Sequence, residues 1–287
     1  MITFPDGCGQ RKENIHIAAL KNVLGEEWEV TSAGGATGEA YYASYREKQL
    51  FIKRNSSPFL AVLSVEGIVP KLLWTKRLEN GDVITAQQWV QGRALKASEM
   101  NHPRIAKLLG RIHHSKELLE MLKRLGKAPL LPNMILETLE KVKQEKKWTN
   151  ATIERAFSYL ERYVSTIHTN ELVVCHCDVN HNNWICGDDD SLYLIDWDGA
   201  MVADPALDLG LLLYWYIEED KWDEWLMEYG CTLTEDLKKR MLWYVIAESI
   251  YMIYWHKNRG EEEEKQKWYE NLLEWLPKNE QEQLSST

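Results

Sequence analysis

The stretch Val173-Val174-Cys175-His176-Cys177-Asp178-Val179-Asn180-His181-Asn182-Asn183-Trp184-Ile185-Cys186 decides how the chain is read. Between two apolar, strand-like runs it places three cysteines, two histidines, three asparagines and one aspartate. That composition suits a metal site, a catalytic loop or a polar surface turn, and each implies a different protein.

Cys175, His176, Cys177, His181 and Cys186 are all zinc-ligand types. Structural zinc, however, is usually held by two separated ligand pairs, and no second pair follows here. In an extended run Cys175 and Cys177 point one way and His176 the other, so neighbouring side chains do not converge on one ion. The second reading takes the spacing instead: His176-x-Asp178, Asn183 five residues on, then Leu194-Ile195-Asp196-Trp197-Asp198. Phosphoryl transfer needs a carboxylate to take the nucleophile's proton, and a carboxamide and a second carboxylate to hold Mg²⁺ on nucleotide phosphates, an order known from protein kinases. Mg²⁺ wants hard oxygen donors and keeps some of its waters. Asn183 and Asp196 offer such oxygens, whereas Cys and His do not.

Working outward, the first third reads as sheet. Trp28–Thr31, Glu39–Tyr45 and Leu50–Lys53 are short β-rich runs separated by turn residues, and Leu72–Thr75 and Val83–Ala86 flank Asn80-Gly81. This predicts about five antiparallel strands with one short helix around Pro58–Val65. Asn80-Gly81 suits a two-residue hairpin turn with both central residues at positive φ. Beyond Gln91-Gly92 apolar residues recur at helical spacing through Ile105–Ile112, Met134–Val142 and Ile153–Ile167. Two strands return at Trp184–Cys186 and Leu192–Ile195, and everything past Pro205 is helical and aromatic. The fold class is α+β, with a small β-rich lobe over 1–90 and a larger helical lobe over 91–287. The default place for a ligand is a cleft between lobes.

With 287 residues, 45% of them hydrophobic, the chain can bury a sizeable core. A net charge of -10 argues against nucleic acid as a partner, because binding a phosphate backbone needs Lys and Arg to displace counterions. No apolar run approaches a membrane span, and Met1–His16 lacks the apolar core of a signal peptide, so a cytoplasmic protein with no membrane insertion is expected. Five cysteines (Cys8, Cys175, Cys177, Cys186 and Cys231) form no disulfide framework, and reduced thiols are expected.

The ordered set His176-Cys177-Asp178 to Asn183, Ile195-Asp196-Trp197-Asp198 and Asp204-Pro205-Ala206-Leu207-Asp208-Leu209, with Leu109-Gly110-Arg111-Ile112-His113 upstream, resembles the aminoglycoside phosphotransferase and choline kinase superfamily. The resemblance spans nearly the whole chain and implies a bilobal, protein-kinase-like fold. It implies Asp178 as catalytic base, Asn183 and Asp196 as Mg²⁺ ligands and Lys53 as the ATP-phosphate lysine. A strand lysine of ordinary solvated type is the plainer alternative for Lys53. Ser32, Gly34, Gly35, Thr37 and Gly38 would form the loop over the phosphates, since small residues let N–H groups approach a polyanion; a glycine-rich hairpin turn is the alternative. Gln88 and Val90, in Gln88-Trp89-Val90-Gln91-Gly92, look like the hinge that contacts adenine through main-chain groups. Asp208 and His176 look structural. Asp198 is either an aid to the metal or an exposed strand-end carboxylate. The family's small-lobe helix usually carries a glutamate that pairs with the lysine; here that region is Ser56-Ser57-Pro58-Phe59-Leu60, and Glu66 comes too late.

The acceptor is expected against the carboxy-terminal helices. From Met241 to Trp255 only Glu248 and Ser249 interrupt an apolar and aromatic run. Such a helix is buried, and Glu248 within it is either a substrate contact or half of an ion pair with an arginine. Thirteen tryptophans leave open a cation-π box for a quaternary amine, against the commoner role of core packing. Thr31–Tyr41, Lys53–Leu60 and Glu66–Lys71 resemble more closely the small bacterial phosphotransferases of the YtmP or CcrZ type. That resemblance implies ATP-dependent phosphorylation of ribose or 2-deoxyribose, a link to the tubulin-like division protein and recruitment to the division site. Choline, another amino alcohol or an aminoglycoside is the alternative acceptor, and a catalytically weak kinase-like scaffold is the alternative role.

Overall fold

A computed structural model describes residues 17–34, 39–169 and 171–277. Contacts divide the chain into two compact units: residues up to Ala94 together with Trp184–Asp198, and Leu95–Asn183 together with the chain from Gly199.

The first unit opens with a helix over residues 17–24 (α1). Strands β1 (Glu29–Gly34), β2 (Ala40–Tyr45) and β3 (Lys48–Arg54) follow, then helix α2 (Phe59–Val65) and strands β4 (Leu72–Arg77), β5 (Val83–Gln88) and β6 (Gly92–Ala94). The five-stranded antiparallel sheet has the order β1-β2-β3-β5-β4, matching the expected strands. Period-two alternation puts Tyr41, Ala43, Leu50, Ile52, Ile84 and Ala86 in one core that also holds Leu20 of α1. Lys53, next to Ile52, is thereby turned to the opposite face. The β4–β5 turn differs from a two-residue hairpin. The Gly81 N–H donates to the Leu78 carbonyl (3.0 Å) and the Leu78 N–H to that of Asp82 (2.7 Å). Gly81 has φ 91°, whereas Asn80 is not among the positive-φ residues. A three-residue loop with a left-handed glycine therefore closes the pair, and only one position needs positive φ.

The second unit begins with α3 (Pro103–His113), α4 (Lys116–Arg124), α5 (Pro132–Lys146) and α6 (Ala151–Tyr163), then strand β7 (Val173–Cys175). Ser115, Asn150 and Thr234 start their helices by accepting the main-chain N–H three residues on. After β7 the chain supplies the hairpin β8 (Trp184–Gly187) and β9 (Leu192–Leu194). β8 pairs with β6, Arg93 opposite Cys186, so this hairpin groups with the first unit. Strand β10 (Met201–Ala203) returns to pair with β7, and α7 (Ala206–Tyr216), α8 (Trp222–Tyr229), α9 (Glu235–Arg259) and α10 (Glu262–Trp275) complete the second unit. The long α9 packs against α5, α6, α7 and α10. Its burial is not complete, since Tyr251 and Trp255 are 38% and 40% exposed. Among the described residues no helix is long and apolar enough to cross a membrane.

Candidate active site

Two sets of polar groups stand out, one in each unit. In the second unit, β7 delivers a loop that turns at Cys177, whose φ is 66°, and leaves Asp178 exposed between the buried Cys175–His176 and Val179. Asp208, fully buried on the first turn of α7, holds the turn by accepting the N–H groups of His176 (2.7 Å) and Cys177 (2.8 Å). His113 Nε2 completes its shell at 3.1 Å, and His113 Nδ1 meets the Tyr229 hydroxyl at 2.8 Å. If Nε2 carries the proton, the neutral ring donates to Asp208 and accepts from Tyr229, so both nitrogens are satisfied. This relay depends on α3 and α8 lying close. At Gly110 a Cβ would meet the Tyr229 carbonyl oxygen at 2.2 Å, which no side chain tolerates.

The Asp178 carboxylate is held from both sides. Asn180 Nδ2 donates to Oδ1, and Asn183 Nδ2 donates to Oδ2 (2.9 Å) and to the Asp178 main-chain oxygen (2.8 Å). That orientation leaves Asn183 Oδ1 as the oxygen for a cation. His176 Nδ1 accepts the Asp178 N–H at 3.2 Å, a structural role as read from the sequence.

In the first unit, Lys53 Nζ lies 2.7 Å from Asp198 Oδ2 and 3.2 Å from Asp196 Oδ1. Burial alone would depress the ammonium, but the hydrogen bond and charge of Asp198, joined by those of Asp196, hold it above the ordinary lysine range. The solvated-lysine alternative is therefore set aside. Asp198 is the exposed carboxylate of one of its two readings, its side chain 57% accessible, and it also pairs with the lysine. Asp196 sits at φ 65°, a conformation that costs energy in a non-glycine residue and concentrates at functional positions. Its side chain is 56% exposed, so a hydrated cation can reach it. Of the expected phosphate loop, Ser32 and Gly34 end β1 across from Tyr41 and Ala40, with a bulge between them. Gly35, Thr37 and Gly38 lie outside the described residues, as does Cys8. The Gln88 N–H is taken by the Lys71 carbonyl at 2.8 Å, and Val90 follows in the link to β6.

The zinc alternative finds no support among the described residues. The one trio of ligand atoms there within 4.8 Å is His113, Cys175 and Asp208, all buried. His113 and Asp208 are committed as above, and Cys175 Sγ donates to the Asp204 carbonyl at 3.3 Å. Asn183 Oδ1 in the second unit and the Asp196 carboxylate in the first are each hard oxygens of the type Mg²⁺ takes.

A third feature belongs to the second unit alone. Glu248 lies in the wall of a pocket of about 200 Å³ shared with Leu139, Cys177, Leu207, Tyr244 and Tyr251. Among the described residues it has no hydrogen-bond donor and no cation, so the expected arginine partner is not there. Burial, and secondarily the charge of Asp178, push its carboxyl up to about 7. Most tryptophans meet a tyrosine or phenylalanine ring, as Trp222 meets Tyr214 at 4.8 Å and Trp243 meets Tyr244 at 5.3 Å, and Trp215 meets Trp268 at 4.3 Å and Trp275 at 5.4 Å, edge to face.

A model of the phosphotransferase enzyme family matches residues 32–243. The chain belongs to this family. Solved structures agree on the fold. Choline kinase LicA from Streptococcus pneumoniae superposes with a TM-score of 0.69 at 20% identity, over 93% of this chain and 99% of that one. A choline/ethanolamine kinase family protein from Mesorhizobium loti gives 0.68 at 14%, over 95% and 96%. Spectinomycin phosphotransferase APH(9)-Ia, solved with ADP and spectinomycin, gives 0.63 at 17%, over 90% and 86%. The phosphotransferase thus has the kinase-like α+β fold expected of it.

Proposed function

We propose that this phosphotransferase is an Mg·ATP-dependent small-molecule kinase that phosphorylates a hydroxyl group. The observation that carries the reading is Asp178, an exposed carboxylate on a loop fixed by Asp208 and gripped by Asn180 and Asn183. In this reading Asp178 orients the acceptor hydroxyl and takes its proton as the oxygen attacks the terminal phosphate. Lys53 offsets charge on the phosphates. Ser32 and Gly34 lead into the loop over them with Gly35, Thr37 and Gly38, and adenine would meet the main chain at Val90 and at the carbonyl of Gln88, whose N–H is held by Lys71. Asn183 and Asp196 would hold Mg²⁺, which when bound neutralises charge on the phosphate oxygens.

The leading acceptor is a pentose, ribose or 2-deoxyribose, supported by the resemblance carried by Thr31–Tyr41, Lys53–Leu60 and Glu66–Lys71 and by a pocket of about 200 Å³ at Glu248. A link to the tubulin-like division protein rests on that resemblance alone. One observation favours a second acceptor class, an amino alcohol: Glu248 lacks a cation among the described residues, and Tyr244 and Tyr251 share its pocket.

The test is turnover with ATP, Mg²⁺ and a panel of pentoses and amino alcohols. Asp178→Asn should lower kcat by about 10²–10⁴-fold, the range a positioned base contributes. No turnover on any acceptor, together with no Mg-dependent stabilisation by ATP, would replace the enzyme with a scaffold, since a ligand that binds only the native state must stabilise it.

A further inference from the structure

We propose that Asp198 is the positioning carboxylate of Lys53, in place of the acidic residue that the small helix α2 lacks. The inference rests on Lys53 being the nucleotide lysine. Helix α2 has the sequence Phe59-Leu60-Ala61-Val62-Leu63-Ser64-Val65, and its only acidic neighbour, Glu66, is its C-cap. No carboxylate of α2 can therefore aim the lysine. Among the described residues Lys53 has two acidic contacts, and they differ. Asp196 is the longer at 3.2 Å and is the oxygen donor suited to Mg²⁺, so its charge is shared once a metal·nucleotide enters. Asp198, at 2.7 Å, is the carboxylate left to hold the ammonium throughout.

The position of Asp198 is fixed from α2 by packing instead of charge. Trp197, between the two acids, is 8% exposed and donates its indole N–H to the Leu194 carbonyl at 2.7 Å. Its ring meets Phe59, the first residue of α2, edge to face at 5.8 Å and 71°. Leu194 is in turn tied by its N–H to the Ile68 carbonyl at 3.0 Å, just beyond the same helix. The helix thus sets the strand end through Phe59, Trp197 and Leu194, and the strand end sets the lysine through Asp198.

A double-mutant cycle on ATP kinetics tests this, with Mg·ATP binding by calorimetry in parallel. Asp198→Asn should lower kcat/KM for ATP by about 10–30-fold, the scale of one charged hydrogen bond in a fixed geometry. Asp198→Glu should recover most of that loss. In a Lys53→Ala background Asp198→Asn should change kcat/KM by less than about twofold, because residues acting through one contact are not additive. The Mg²⁺ concentration for half-maximal rate should stay within about twofold of the parent. Additive losses in the cycle, or a large rise in the Mg²⁺ requirement, would make Asp198 a metal ligand and overturn the positioning role. A parent protein that binds Mg·ATP while Asp198→Asn leaves its kinetics unchanged also overturns it, with the kinase reading intact. A parent that binds no ATP sinks the kinase reading itself, and the positioning role with it.

Discussion

Asp208 and Glu248 are carboxylates set into apolar helices of the same unit, yet their surroundings are opposite. Asp208 is wholly buried and receives two main-chain N–H groups and an imidazole. Glu248 receives no hydrogen bond among the described residues, and its charge is opposed by burial and by Asp178. A buried charge is tolerated when its lone pairs are met and costly when they are not. The first arrangement is therefore what a structural brace needs. The second has no such brace: a carboxyl there takes up a proton or is met by water or a ligand in its pocket, and the proposed function takes the ligand to be the acceptor.

The sharpest way to break the comparison is to remove the brace. Asp208→Ala strands two main-chain N–H groups and one face of His113 inside the core. Losing one side of a buried charged network costs about 3–5 kcal/mol, and urea unfolding followed by circular dichroism should show a loss of that order. A loss under about 1 kcal/mol would mean that the turn at Cys177 is held by strand pairing and that the network is incidental. The opposite sign is expected at Glu248. Its carboxyl is raised by folding from the ordinary 4.5 to about 7, so the folded state binds the proton more tightly than the unfolded chain. The parent therefore loses stability as pH rises from about 4.5 to about 7, while Glu248→Gln does not. Above pH 8 the glutamine variant should be more stable by about 1–3 kcal/mol, with weaker use of the acceptor. Equal stabilities at that pH would show that Glu248 has a partner after all and remove its contrast with Asp208.

These two carboxylates also show how far the sequence could be read. The five strands and the place of Lys53 on the third were legible because they rest on alternation within a few residues and on turn signals, whereas the swap that puts β5 between β3 and β4 was not. The roles proposed for Asp178, Asn183 and Asp196 rest on the order of their spacing and on resemblance, to which the structure adds the hydrogen bond from Asn183 to the Asp178 carboxylate. What escaped depends on residues distant in the chain. Lys53 meets acids 143 and 145 positions away, and nothing local to β3 or α2 specifies Asp198. The His113–Tyr229 relay was missed although Leu109–His113 had been singled out. Its signal was Gly110, a glycine inside an apolar helix, which marks a close approach of another backbone. Asn180 was passed over beside the more conspicuous Asn183, though an asparagine two residues after an aspartate is within reach of its carboxylate. That Glu248 meets no arginine among the described residues could not be read at all, since a sequence gives the cost of burying a charge and not whether an arginine arrives to meet it.

The smallest expected effect separates the two acceptor classes. The groups facing Glu248 in its pocket are the Cys177 thiol and the Tyr244 and Tyr251 hydroxyls. All three are pushed above their ordinary ranges, chiefly by burial, so they stay neutral through pH 8. Across pH 6 to 8 the variable charge in the pocket is therefore Glu248 itself, titrating about 7. A cationic amino alcohol pairs with the carboxylate form, so its KM should fall by up to about tenfold as pH rises through that value, one pKa unit being equivalent to a factor of ten. A pentose offers hydroxyls that donate to the ionised form or accept from the protonated one, so its KM should move by less than about threefold over the same range. In Glu248→Gln the amine's dependence should vanish and the pentose's should be little altered. An amine KM that is flat in the parent would place the cation away from Glu248, and a steep pentose KM would mean that one protonation state of this carboxyl is required to hold the sugar.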